Sequence, residues 1–493
     1  MRYANVAVSL FILCIPLSQA QDAFDELESS TKKLDERQSE DSGNGFKDFM
    51  RQQKREFEDY KEKVRKEFAA FKKAHDDATS EYKSRITEVW QEPVTSSRKR
   101  WVTYDDRYRL RTEIDFEGET LRIAWPQNSR EELKREGARD RLEQLLELTS
   151  KEAFQQDEVA QKVEAFGKEK LSTFETAEVD ETPLIEGFLL GSSNSDAETR
   201  AALLEHFMNN AERIELSESG QSVAAWEFPL EAPASMVQVA NGTKSGADVT
   251  EKPADQVDDT PENVKSREDD KSGNGTSVAE KPADPAEPGN GDGGVWQTET
   301  ISRDMVERLP NSAHGFVGAI NEKNAEFKLS VELILALIET ESAFNPMAKS
   351  HIPAYGLMQI VPKSAGMDAT EKIFGKPRVL SPSYLYHSGN NIEIGAAYFN
   401  ILYYRYFEAV ENSRSRLYCA IAAYNTGPGN VAKALKRGGE MKLGPATREA
   451  NSMSSKEVYE RLINHLPYEE TVHYLRKVTN RLKKYERLAA NAE

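Results

Sequence analysis

Leu333-Ile334-Leu335-Ala336-Leu337-Ile338-Glu339-Thr340-Glu341-Ser342-Ala343-Phe344-Asn345-Pro346 is the stretch around which this chain is organised. Its first six residues are too apolar to lie on a surface. Its last two, Asn345-Pro346, are a pair that a helix does not continue through easily. The pattern therefore predicts a buried helix over Val331–Ser342 that ends with carboxylates in its last turn. Glu339 and Glu341 are two residues apart, roughly 200° around a helix, so only one of them can face a given cleft. A carboxylic acid at the end of an apolar helix is a candidate for a raised pKa and for proton donation at neutral pH. The plainer alternative is a solvated helix end with two surface glutamates.

Outward from this stretch, residues 296–493 carry helical patterns at Asn391–Tyr406, Arg416–Tyr424, Ser455–Leu466 and Glu470–Leu488, with no strand signal, and are expected to form an all-α domain. Residues 233–295 are dense in Gly, Pro, Ser, Asn and charged residues and contain an internal duplication, Glu251-Lys252-Pro253-Ala254-Asp255 returning as Glu280-Lys281-Pro282-Ala283-Asp284. Such a segment buries too little surface to offset its ordering entropy, so it reads as a disordered linker that lets the halves on either side move independently. Residues 93–232 read as an α+β accessory domain. Leu110–Phe116 and Leu121–Trp125 alternate as a β-hairpin around Glu117-Gly118, Glu131–Leu171 is a helical run, and Val223–Phe228 is a further strand.

Residues 46–92 form a charged amphipathic helix with an aromatic stripe. Phe46/Phe49, Phe57/Tyr60 and Phe68/Phe71 recur every 11 residues, with Thr79/Tyr82 in the same register. That period is 3.67 residues per turn, which suits a nearly straight packed helix. The stripe is buried either on the same chain or by self-association through residues 46–91. Residues 21–45 are polar and expected to be disordered. Residues 1–20 match a signal peptide, with Arg2, an apolar core from Val6 to Ile15, and Ser18-Gln19-Ala20 as the cleavage site.

The chain of 493 residues is 30% charged and carries a net charge of −18, a poor match to nucleic-acid binding. No run after the leader reaches the roughly 18 apolar residues of a membrane span. Cys419 sits in an apolar helical run and reads as a core residue. The seven histidines include His314, His351 and His387, which share no ligand spacing, and no metal or organic cofactor is implied.

Three short motifs accompany Glu341-Ser342-Ala343-Phe344-Asn345-Pro346: Gly356-Leu357-Met358-Gln359, Ala423-Tyr424-Asn425, and Glu470-Thr471-Val472-His473-Tyr474. Each alone is a turn, a core segment or a helix cap. In this order, with Asn391-Ile392 and Gly395 between them, they resemble the lytic murein transglycosylases with a lysozyme-like domain of the soluble-transglycosylase type. The resemblance covers about residues 310–485 strongly and residues 95–232 more weakly.

The resemblance implies a lysozyme-like catalytic domain and cleavage of the β-1,4 bond between N-acetylmuramic acid and N-acetylglucosamine in peptidoglycan glycan strands. It makes Glu341, not Glu339, the catalytic acid and base. Tyr424 is expected to hydrogen-bond Glu341, Gln359 and Asn425 to bind sugar amides and hydroxyls, Met358 to form an apolar wall, Ser342 to orient the carboxylate or the substrate, and Tyr474 to complete the binding site. Ordinary glycosidases use two carboxylates; the motifs supply one, which fits ring closure by the substrate's own C6 hydroxyl to a 1,6-anhydro product. Two rivals remain: a water-using muramidase with Asp368 or Glu393 as second carboxylate, and a non-cleaving glycan-binding scaffold of the cell envelope. The leader implies the periplasm, with peripheral association with the outer membrane or envelope proteins. Lipidation of Cys14 is disfavoured because Leu13 precedes it, where a small residue is wanted.

Overall fold

The computed structural model describes residues 40–127, 133–190, 196–231, 300–437, 439 and 441–491. The expected signal peptide and linker lie outside these, as does most of segment 21–45. The last residues of that segment are not the coil expected, for helix α1 begins at Glu40 and runs to Thr87. Phe68 and Phe71 of its stripe are buried on the same chain, Phe57 and Tyr60 are half-buried, and Phe49 is exposed.

Strands β1 (Arg100–Tyr104), β2 (Arg111–Asp115) and β3 (Thr120–Pro126) follow. The expected long helix over 131–171 is instead α2 (Arg135–Glu147), α3 (Ser150–Gln155) and α4 (Glu158–Lys170). Two side-chain caps start the later pieces: Thr149 makes a capping box with Glu152, and Asp157 accepts from the Ala160 amide. Such caps satisfy helix-end amides and so start a helix afresh. After β4 (Phe174–Glu175), α5 (Leu184–Leu190) and α6 (Ala197–Asn209) come β5 (Glu212–Glu218) and β6 (Gln221–Pro229).

The sheet is antiparallel in the order β1-β2-β3-β6-β5, with Ile114 opposite Leu121 and Leu121 opposite Phe228. The alternation of β2 predicts one wet face, yet Arg111 and Glu113 are buried. The end of α1 and Trp90 cover that face. Arg111 lies 4.4 Å over the Trp90 ring and bonds Glu113 at 2.5 Å and Glu218 through both terminal nitrogens at 2.9 and 2.7 Å. A buried charge is tolerated when paired and hydrogen-bonded in this way.

The second half contains α7 (Arg303–Val306), α8 (Asn311–His314), α9 (Val317–Phe327), α10 (Val331–Ser342), α11 (Met367–Phe374), β7 (Val379–Leu380), α12 (Pro382–Tyr386), α13 (Ser388–Ile401), α14 (Ser413–Thr426), α15 (Pro428–Leu435), α16 (Leu443–Asn451), α17 (Ser455–His465) and α18 (Glu469–Ala490). Helix α10 has the bounds expected from sequence. The strand β7 has no counterpart in the sequence reading, because two residues are too short to show a period. It pairs in parallel with β4 of the first half, Phe174 opposite Val379.

That pair is one of several joints between the halves. Arg378 bonds Glu175 at 2.5 Å, Lys349 bonds Asp157 at 2.6 Å, and buried Glu164 accepts from the Ser383 hydroxyl at 2.7 Å. One continuous apolar cluster runs from Val64 through Leu142 to Tyr485. The independent motion expected from the linker composition is thus not what the described residues show: the two halves are packed as one body.

Candidate active site

Helix α10 starts at Ser330, whose hydroxyl accepts from the Leu333 amide at 3.2 Å, and all its positions from Leu333 to Ile338 are buried. It stops at Ala343, which is left-handed at φ 51°, followed by Phe344 at φ 62°. Two successive non-glycine residues in that region are strained, and the surrounding packing must hold them there. Asn345 supplies part of that hold: it is fully buried, and its Oδ1 accepts from the Met347 amide at 2.9 Å.

The two carboxylates of the helix face apart. Glu339 accepts from the Tyr485 hydroxyl at 2.7 Å and pairs with Arg481 and Lys484, each at 3.2 Å. Glu341 points into the protein beside a cleft, its side chain only 6% exposed. Burial pushes its carboxyl up to about 7, against the opposing pull of the Tyr474 hydroxyl and of the Arg98 guanidinium; Glu470 adds to the rise. The Tyr474 hydroxyl faces Glu341 without closing a bond of ordinary length and has no other protein partner.

Tyr424 was expected to hold Glu341 and does something else. Its hydroxyl donates to the Met358 carbonyl at 2.9 Å, so it braces the Gly356–Gln359 turn while standing near the acid. Burial keeps the phenols of both Tyr424 and Tyr474 well above their ordinary range, so both remain protonated donors.

The turn itself is clamped by Asn391. Its Nδ2 donates to the carbonyls of Tyr355 and Leu385, each at 2.8 Å, and its Oδ1 accepts from the Met358 amide at 2.7 Å. Gly356 sits at φ 75°, and a Cβ there would lie 2.2 Å from the Leu385 carbonyl. Gly395 leaves room for Met358: a Cβ would come 2.3 Å from its Sδ. Met358 is accordingly fully buried against α13 and reaches no cleft, contrary to the wall expected of it.

Gln359, left-handed at φ 49°, donates from Nε2 to the Gly356 carbonyl at 3.0 Å and leaves its buried Oε1 without a protein partner. Asn425 accepts from the Thr471 hydroxyl at 2.7 Å, which ties α14 to α18. Ser342 is fully buried, and its hydroxyl donates back to the Ile338 carbonyl at 3.1 Å, so it reaches neither the Glu341 carboxylate nor solvent. A serine within a helix often bonds back in this way.

The cleft beside Glu341, about 400 Å³, is lined by Thr340, Glu470, His473, Tyr474 and Lys477 on one side. The other side is Ser97–Arg100 with Asp115 and Glu117, all from the first half of the chain. Sequence reasoning missed this second wall. Its only local signal is the run Arg98-Lys99-Arg100, three consecutive cations in an acidic chain. Asp368 and Glu393, the candidates for a second carboxylate, stand elsewhere. Asp368 is pushed up to about 6 by burial and faces Glu371, Lys61 and Arg405, and Glu393 pairs with Lys323 at 2.9 Å.

These features define a helical domain whose acid, Glu341, is buried beside a cleft. Residues 318–443 match the family model described as Transglycosylase SLT domain. Over 195 residues the chain is 38% identical to the membrane-bound lytic murein transglycosylase C of Sodalis glossinidius, covering 39% of this chain and 53% of that protein. The protein of the same name from Klebsiella pneumoniae subsp. pneumoniae gives the same identity and coverage. The chain thus spans about half the length of the curated relatives it matches. Among solved structures, an inactive mutant of the lytic transglycosylase Slt from Pseudomonas aeruginosa is 27% identical, covering 36% of this chain and 26% of that one, with a TM-score of 0.27. The 70 kDa soluble lytic transglycosylase of Escherichia coli is 23% identical over 37% of this chain and 26% of that one, again with a TM-score of 0.27.

Proposed function

We propose that this protein is a periplasmic lytic transglycosylase that cleaves the β-1,4 bond between N-acetylmuramic acid and N-acetylglucosamine in peptidoglycan. Glu341 protonates the glycosidic oxygen as the bond to the anomeric carbon breaks, and the N-acetylglucosamine leaves with a free 4-hydroxyl. The resulting carboxylate takes the proton of the muramic acid C6 hydroxyl, whose oxygen closes onto the anomeric carbon. The product is a 1,6-anhydro ring and no water is added. Gln359, through its unpartnered Oε1, and Asn425 bind sugar amides or hydroxyls, and Tyr474 steadies the Glu341 charge between its two roles.

The observation that carries this reading is the state of Glu341: a buried carboxyl pushed up to about 7, which can give and take a proton at neutral pH. The other carboxylate beside it, Glu470, is exposed and lies 3.1 Å from Arg98, unlike the shielded Glu341. On the same reading residues 93–232 are an accessory domain that supplies one wall of the cleft.

The test is mass spectrometry of the sugars released from peptidoglycan. Muropeptides ending in 1,6-anhydromuramic acid, absent with Glu341→Gln, are expected. Reducing-end muramic acid would instead indicate a hydrolase, and bound glycan without product would indicate a scaffold.

A further inference from the structure

Arg98 enters the site from the first half of the chain and is gripped by the loop that follows the Glu341 helix. The buried Asn345 side chain donates from Nδ2 to the Arg98 carbonyl at 3.4 Å, and the Lys349 amide donates to the Ser97 carbonyl at 3.3 Å. The Ser97 amide donates to the Arg100 carbonyl at 2.7 Å, which folds the segment into a tight turn. The backbone of Arg98 is therefore referenced to Glu341 through a few residues of one loop. Its guanidinium spans two carboxylates, with Nη1 3.8 Å from Glu341 and Nη2 3.1 Å from Glu470.

The two contacts are unequal. Arg98 and Glu470 are both well exposed, and an exposed ion pair of this kind stabilises little. Glu341 is shielded from water, so a cation at its edge acts on it with far less screening. Docking of the two halves does not need Arg98 either, since the β4–β7 pair, the buried Glu164 contact and the Lys349–Asp157 pair provide it.

We propose that Arg98 is a positioning residue for Glu341, contributed by the accessory half, and that Glu470 sets how closely its guanidinium approaches the acid. The proposal rests on Glu341 being the catalytic acid. The groups that face Glu341 are Tyr474 and Glu470 from α18, Tyr424 from α14, and Arg98 and Lys99 from the segment before β1. Lys99 is already bonded to Glu117, which leaves Arg98 as the cation in ion-pair reach of the acid. It favours the carboxylate, the form that must accept the C6 proton. Glu470 opposes it, both by its own charge and by holding the guanidinium back.

Arg98 and Glu470 thus act on Glu341 in opposite directions, which a docking role would not produce. In pH profiles of kcat/KM on peptidoglycan glycan strands, the basic limb reports the acid in the free enzyme. Arg98→Gln should move that limb up by roughly one unit or more, and Arg98→Lys should return it toward the wild-type position. Glu470→Gln should move it down. With Glu341→Gln inactive, limbs that stay in place in Arg98→Gln and Glu470→Gln overturn the proposal. Activity retained by Glu341→Gln would overturn the assignment of the acid instead. Should Arg98→Gln lose its near-UV circular dichroism, Glu470→Gln decides alone, and an unmoved limb there overturns the proposal.

Discussion

Glu339 and Glu341 share the last turn of one helix and none of their partners. Glu339 meets Tyr485, Arg481 and Lys484 of the final helix. Glu341 meets Tyr474 and the guanidinium of Arg98, out of reach of bulk water. The separation of roughly 200° that two helical steps impose places one carboxylate in a solvated ion-pair network and the other in a pocket that disfavours its charge.

Glu341→Gln should abolish product formation and make the protein more stable at alkaline pH. The folded carboxyl titrates near 7 against an ordinary 4.5. Between those values the native chain keeps a proton that the unfolded chain has released, so native stability falls as pH rises from about 4.5 to about 7 and then levels. The full difference is about 3 kcal/mol. Melting temperatures of wild type and variant should differ little at pH 5 and clearly at pH 8. An equal difference at both would mean that the carboxyl does not titrate in that window.

Glu339→Gln should leave cleavage intact. Gln still accepts from the Tyr485 hydroxyl, but Arg481 and Lys484 lose their counter-charge, a loss of about 1 kcal/mol. Product yield and melting temperature measured on the same preparation separate the two effects. A dead Glu339→Gln enzyme with an unchanged melting point would reverse the roles assigned to the two glutamates.

Asn391→Ala touches no substrate group, yet it should lower both stability and activity. It strands the Met358 amide and takes a donor from the carbonyls of Tyr355 and Leu385, which loosens the buried turn that carries Gln359 from helix α12. The expected loss is about 3 kcal/mol or more, read by thermal melting. Full stability in this variant would show that the turn holds itself.

Tyr424→Phe and Tyr474→Phe should behave differently although both remove one hydroxyl. Tyr424 gives up a bond to the Met358 carbonyl, about 1 kcal/mol of stability, and the pH profile keeps its shape. Tyr474 gives up the hydroxyl that eases the Glu341 charge, so the basic limb of activity moves up. Identical pH profiles for the two variants would contradict this division.

Helix α10 was legible because an uninterrupted apolar run closed by Asn345-Pro346 is a local signal, and the observed bounds coincide with it. The stagger of Glu339 and Glu341 followed from helix geometry alone. The motif around Gly356–Gln359 marked the right place without saying what each residue does there. Met358 and Ser342 are buried because a glycine in α13 admits the one and a backbone carbonyl takes the hydroxyl of the other. Tyr424 and Tyr474 could not be told apart, since their roles depend on which carbonyl or carboxyl lies opposite. Arg98 was beyond reach: it meets Asn345 across 247 residues, and the local run Arg98-Lys99-Arg100 says neither that it reaches the cleft nor which of its cations faces the acid.

The parallel pair between β4 and β7 bears on how the chain comes to be folded. Its partners are so distant that Arg378 reaches Glu175 across 203 residues, and contacts of such separation form late. Until the second half has been translated, the first half has an unpaired strand edge and an uncovered apolar face, the features through which nascent chains associate wrongly. One wall of the cleft is made early and waits for the other. The acid therefore gains its full surroundings only when both parts are present, and a chain shortened from its amino end past Arg98 would keep the Glu341 helix without the guanidinium that stands against it.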